Sequence, residues 1–122
     1  MARVLVIEDN PTNMKLATFL LESEGHAVLS AVDAEAGLTL ARSQHPDLIL
    51  MDIQLPGMDG LEATALLKRE VATRDIPVIA LTALAMKGDE ERIRASGCDG
   101  YIAKPMDYQA FLAKIASQLA PA

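Results

Sequence analysis

At 122 residues the chain has room for one domain with a real core, burying roughly two thirds of its unfolded surface. Hydrophobic residues make up 51% and aromatics 3%, so that core is expected to be aliphatic; 17 acids against 11 bases leave a net charge of −6. An acidic chain with no Lys/Arg cluster argues against direct nucleic-acid binding and against attraction to anionic membranes. The single cysteine, Cys98, rules out an internal disulfide, fits a reducing compartment and is expected to be a small buried hydrophobe. Met1 to Leu5 lacks a signal-peptide layout, and no apolar stretch approaches the ~18 residues of a membrane span. A soluble, cytoplasmic protein without membrane insertion is expected.

In chain order, Arg3 to Ile7 reads as a first strand. Asn10 suits a helix cap and Pro11 the first helical position, opening a helix to about Glu24 that Gly25 stops. A weaker strand follows from Ala27 to Ala31. Asp33 caps a helix from Ala34 to about Gln44, closed by His45-Pro46. The short apolar run Leu48–Asp52 reads as a strand buried on both faces, bounded by Pro46 before it and by Gln54-Leu55-Pro56-Gly57 after it. A third helix is expected from about Gly60 to Val71, and a fourth strand over Pro77–Leu81. Asp89 opens the regular part of a fourth helix that ends at Gly97. A fifth strand spans Gly100–Ala103, Asp107 caps, and a last helix runs to about Leu119 with Phe111, Leu112, Ile115 and Leu119 on one face. Strand followed by helix five times predicts an α/β fold with a parallel sheet and right-handed crossovers. Residues 1–122 are expected to form one domain with no output domain.

The chemistry-bearing residues fall just after the strands: Glu8 and Asp9 after the first, Asp52 at the end of the third, Thr82 after the fourth, Lys104 after the fifth. In a flavodoxin-like sheet of order 2-1-3-4-5, strands one and three are neighbours, and three carboxylates share the ligand-binding rim. Such a cluster repels itself unless compensated. Oxygen-only ligands with open water positions suit Mg²⁺, and Lys104 adds a second positive charge. Asp52 is then a carboxylate nucleophile for an incoming phosphoryl group, with Thr82 as a hydrogen-bond donor and the small Ala83 keeping the approach open. Each residue alone has a bland explanation as a cap, a first-turn acid or a solvated charge; their coincidence on four strand ends does not.

These stretches — Glu8-Asp9, Met51-Asp52-Ile53-Gln54-Leu55-Pro56-Gly57-Met58-Asp59-Gly60, Thr82-Ala83, and Tyr101 with Lys104-Pro105 — resemble the CheY-like receiver domain of two-component response regulators over essentially the whole chain. Asn13-Met14-Lys15-Leu16 and Leu84-Ala85-Met86-Lys87-Gly88-Asp89-Glu90-Glu91 resemble the single-domain DivK type in particular. The resemblance implies that Asp52 is the phosphoacceptor and that Glu8, Asp9, Asp52 and the Gln54 carbonyl hold Mg²⁺. It implies that Lys104 pairs with the phosphoryl group, that Thr82 and Tyr101 are a switch pair, and that Lys104-Pro105 is cis. Gln54 and Leu84 fall where members vary and hydrolysis is tuned. The implied partners are a histidine kinase or histidine phosphotransferase, docking on the first helix at Asn13 and Leu16, and downstream proteins on the face of helix four, strand five and helix five, with Met86 as a contact. The implied role is a phosphorelay signalling protein in bacterial cell-cycle or polarity control that catalyses only its own phosphorylation and dephosphorylation.

The first helix is apolar at Met14, Leu16, Ala17, Phe19, Leu20 and Leu21, a wider arc than one core stripe needs. His26 and His45 read as surface loop residues. A dehalogenase-like phosphatase needs a second acid where Gln54 stands, Glu8-Asp9 would repel a flavin phosphate, and a receiver-like binder without chemistry would not need the intact rim set.

Overall fold

The computed structural model describes residues 2–83, 87–104 and 107–119. Five strands alternate with five helices: β1 (Arg3–Ile7), α1 (Pro11–Ser23), β2 (Ala27–Ala31), α2 (Ala34–Gln44), β3 (Leu48–Asp52), α3 (Gly60–Arg69), β4 (Val78–Thr82), α4 (Lys87–Ala95), β5 (Gly100–Ala103) and α5 (Tyr108–Leu119). The strands form one parallel sheet in the order β2-β1-β3-β4-β5, the order expected above. Burial explains the order. Every residue of β3 and β4 is buried, whereas β2 and β5, at the edges, are partly open.

Side chains alternate across a strand, so each strand feeds two cores. One face carries Leu5, Ile7, Ile49, Met51, Val78 and Ala80 beneath α2, α3 and α4, which contribute Leu38, Ala41, Ala63, Leu67 and Ile93. The other carries Val4, Val6, Leu48, Leu50, Ile79, Leu81 and Ile102 beneath α1 and α5, with Ala17, Leu20, Leu21, Phe111 and Ile115. Phe111 is the one aromatic among the fully buried side chains of this aliphatic interior. Leu112 and Leu119 pack at its margin, so the predicted face of the last helix is the face that docks.

The caps follow the sequence. Asn10 accepts from the Thr12 and Asn13 amides, Asp33 from Ala36, Asp59 from Glu62, and Asp107 from Gln109 and Ala110. Gly25 takes a left-handed φ of 84° after α1, which stops at Ser23 with Glu24 as its cap. The corresponding stop of α2 is His45, at φ 45°. Its ring lies 3.2 Å from Asp75, an exposed pairing that the sequence did not indicate.

Three boundaries differ from expectation. α3 ends at Arg69, not Val71: Glu70 is extended, the Thr73 and Arg74 amides turn back to its carbonyl, and Val71 is 77% exposed. The strand predicted as Pro77–Leu81 is Val78–Thr82, because Pro77 has no N–H for the ladder while the Asp99 carboxylate receives the Val78 amide at 2.8 Å. α4 opens at Lys87, two residues before Asp89, and closes at Ala95, with the amides of Ser96 and Gly97 turning back to Arg92 and Arg94. The expectations for Leu84, Met86, the Lys104-Pro105 peptide and the C-terminal Ala120-Pro121-Ala122 fall on or involve positions outside the described residues.

Candidate functional site

Alternation also builds the site. Glu8 follows Val4 and Val6 in phase, Asp52 follows Leu48 and Leu50, and Lys104 follows Ile102, so all three lie on the α1/α5 side of the rim. Parallel pairing of β1 with β3 puts the ends of these strands side by side. Carboxylate oxygens of Glu8, Asp9 and Asp52 then lie within 4.8 Å of one another. They face an open cleft of about 460 Å³ that Asn10, Asn13, Gln54, Ala83 and Lys104 also line. Glu8 and Asp52 are 1% and 3% exposed, and Asp9 stands in solvent. α3 is pressed against the end of β3: a Cβ at Gly60 would lie 2.3 Å from the Asp52 carbonyl oxygen and 2.7 Å from Ile53 Cα. Only glycine fits there, and it fixes the backbone beneath Asp52.

Charge within the site is partly balanced by the protein itself. Lys104 Nζ lies 2.7 Å from Glu8 Oε1 and 3.3 Å from Asp52 Oδ2. The Gln54 amide donates to Asp52 Oδ1 at 2.9 Å. Glu8 Oε2 is buried with no hydrogen-bond partner among the described residues. Burial, with the Asp52 carboxyl beside it, pushes Glu8 up to about 7 against the pull of Lys104. For Asp52, burial acts upward too, but the Glu8 carboxyl, the Gln54 amide and Lys104 outweigh it and hold the group below its ordinary value. Burial and the mutual contact thus push the two carboxyls in opposite directions, Glu8 up and Asp52 down. An oxygen-only triad with one orphaned buried oxygen and an open side is a donor set that fits a small hard divalent cation.

The remaining expected residues divide. Ala83 is exposed at the cleft, and Thr82 is fully buried as the last residue of β4, tied to β5 by the Lys104 amide donating to its carbonyl at 2.8 Å. Thr82 is in phase with Val78 and Ala80, so it belongs to the sheet face opposite that of Asp52. Tyr101 is on the same face as Thr82, opposite Ala80 in the ladder, and does not line the acidic cleft. Its ring is half-exposed and its hydroxyl donates to Glu90 of α4. The wide apolar arc of α1 resolves into buried Ala17, Leu20 and Leu21, half-buried Met14 and Leu16 at the core margin, and Phe19 with 68% exposure. Asn13 is half-buried at the cleft's edge. Cys98 is buried, as expected, and burial pushes its thiol up. Beside the His45–Asp75 pairing, the contacts of Lys104 with Glu8 and of Tyr101 with Glu90 also escaped the sequence. Nothing in local spacing signals any of them.

A model of the response regulator receiver domain matches residues 4–116. The chain belongs to this family. The polar-differentiation response regulator DivK of Brucella ovis is 52% identical over 119 residues, which cover 98% of this chain and 97% of that one. Among solved structures, this receiver superposes with a TM-score of 0.90 on the receiver domain of a sensor histidine kinase from Pseudomonas aeruginosa, at 34% identity and 97% coverage of both chains. That structure is described with a magnesium ion coordinated in its active-site cleft. The chemotaxis protein CheY4 of Vibrio cholerae shares the fold, at a TM-score of 0.92 and 24% identity, over 98% of this chain and 99% of that one. The receiver is thus a CheY-like five-stranded α/β protein of two-component signalling, a family of signalling proteins rather than of classical enzymes. Among its described residues no helix is long and apolar enough to cross a membrane.

Proposed function

We propose that this receiver accepts a phosphoryl group on a carboxylate oxygen of Asp52 from the phosphohistidine of a histidine kinase or histidine phosphotransferase, and acts in turn on protein partners. The environment of Asp52 carries the proposal: a buried, ionised carboxylate at a strand's carboxyl end, 3.3 Å from an ammonium, at an open cleft. In the transfer a P–N bond of the donor breaks as the P–O bond to Asp52 forms. Lys104, already beside Asp52, neutralises phosphoryl oxygens, and Thr82, on the other face at the end of the neighbouring strand, turns its hydroxyl toward the phosphoryl group once it is there. Glu8, Asp9, Asp52 and the Gln54 carbonyl would hold Mg²⁺, which when bound supplies positive charge to the transferring group. The magnesium in the Pseudomonas receiver and the orphaned Glu8 Oε2 support this assignment. Ala83 leaves the approach to Asp52 unobstructed. Tyr101 is the partner of Thr82 in the change that follows, since both stand on one sheet face. Asn13 and Leu16 are proposed contacts for the phosphoryl donor, and the face of α4, β5 and α5 is proposed as the surface read by downstream proteins. The Brucella relatives are named for polar differentiation, and that process is proposed here as well.

The test is Mg²⁺-dependent phosphate incorporation from acetyl phosphate, read on a phosphate-affinity gel beside Asp52→Asn. Labelling that requires Mg²⁺ and vanishes in the variant is expected. An unlabelled parent protein, even with a histidine kinase supplied, would refute the phosphoacceptor assignment.

A further inference from the structure

We propose that Glu90, in the first turn of α4, is a positioning residue that holds the Tyr101 ring in its half-exposed place and so sets how readily this receiver switches. The contact is specific. The Tyr101 hydroxyl donates to Glu90 Oε1, a bond to an ionised acceptor and therefore stronger than one between neutral groups. It ties α4 to the edge strand β5, where Ile93 of α4 is buried in the same core that Tyr101 packs against. The carboxylate is also well placed, because an acid is favoured in the first turn of a helix.

The geometry gives the bond its consequence. Tyr101 stands opposite Ala80 in the ladder, and Thr82 lies two residues further along β4 on the same face. Ala80 and Ala103, the ladder partners of Tyr101 and Thr82, are both small. For its ring to move toward Thr82, the bond to Glu90 must break, whereas the half-exposed place keeps it. An interaction made in one of two arrangements biases the equilibrium between them by its own strength. Burying neither partner fully, α4 leaves the contact within reach of anything that docks there.

The functional half of this proposal rests on the phosphoacceptor reading, and the experiment separates the two. Tyr108→Phe leaves Tyr101 as the single tyrosine of the full chain. In that background Glu90→Gln, Glu90→Ala and the exposed control Glu91→Ala are compared by NMR of ring-labelled tyrosine and by the initial rate of labelling with acetyl phosphate and Mg²⁺. Without any phosphoryl group, the Tyr101 resonance is expected to move in both Glu90 variants. The movement should be larger in Glu90→Ala, in the direction produced in the parent by beryllofluoride with Mg²⁺, and absent in Glu91→Ala. Labelling is expected to quicken roughly fivefold in Glu90→Ala, the worth of one partly exposed hydrogen bond. A Tyr101 resonance indifferent to Glu90 overturns the proposal. So does a moved resonance with a labelling rate equal to that of the control. A moved resonance in a protein that takes no label at all would uphold the hold on Tyr101 and sink the phosphoacceptor reading instead.

Discussion

Replacing Glu8 by glutamine tests the electrostatics of the site without touching its shape. With metal removed by a chelator, Glu8 titrates at about 7 in the folded protein against 4.5 ordinarily. A raised folded value means that the folded state binds the proton more tightly than the unfolded one. The associated stability is fully present below pH 4.5 and is lost as pH rises through about 7. At about 1.4 kcal/mol per step of pKa, the gap corresponds to about 3 kcal/mol. Asp52 works the other way: its stabilising contribution is present above its unfolded value and fades only as pH falls through its lowered folded value, so its window lies below that of Glu8. Urea unfolding of the parent and of Glu8→Gln at steps from pH 5 to pH 8 isolates the Glu8 component as their difference. The parent is expected to lose about 3 kcal/mol relative to the variant across that range, with most of the loss removed by saturating Mg²⁺. Parallel stability curves for the two proteins would refute the reasoning.

Four other substitutions, two of them combined in one chain, probe the frame around the acids. Lys104→Met removes the ammonium 2.7 Å from Glu8 and 3.3 Å from Asp52, and the metal-free protein is expected to lose about 3 kcal/mol in urea titration. A variant as stable as the parent would show that the ammonium contributes no net balance. Gly60→Ala drives a Cβ to 2.3 Å from the Asp52 carbonyl oxygen, where only backbone can give way. A cost of about 2 kcal/mol and slower labelling of Asp52 are expected; unchanged melting and labelling would contradict the close approach. Gly37→Ala meets Ile7 Cδ1 at 2.3 Å, a side chain that can be shortened, so Ile7→Val in the same chain is expected to recover part of the loss. Additive losses in the double variant would count against that contact.

The alternation of strand and helix and the caps at Asn10, Asp33 and Asp107 were legible because each is written in local pattern and cap chemistry, and the strand order followed from the flavodoxin-like fold that the alternation implies. The rim residues were legible for a related reason. Topology brings the ends of β1, β3, β4 and β5 to one rim, so residue type and position after a strand suffice to gather Glu8, Asp9, Asp52 and Lys104, while strand alternation turns Thr82 to the opposite face. What failed was set by contacts distant in sequence. Val71 continues the apolar spacing of α3, but the turn closing on the Glu70 carbonyl wins. Pro77 looks apolar enough for a strand, but the ladder begins where Asp99 can receive an amide. The preference of Lys104 for Glu8 over Asp52 depends on fractions of an ångström, and the bond from Tyr101 to Glu90 depends on where α4 settles over β5. No periodicity encodes either.

The pairing of Lys104 with Glu8 joins residues 96 positions apart. Residues through Lys104 must be synthesised and β5 docked before the two acids at the ends of β1 and β3 acquire their counter-charge. Contacts this distant form late, because the closure of a long loop must be paid first. A nascent or partly folded copy with Asp52 already in its strand still lacks the ammonium beside it. The charge balance of the acidic cleft is therefore coupled to the docking of β5, the strand that delivers Lys104 to the ends of β1 and β3.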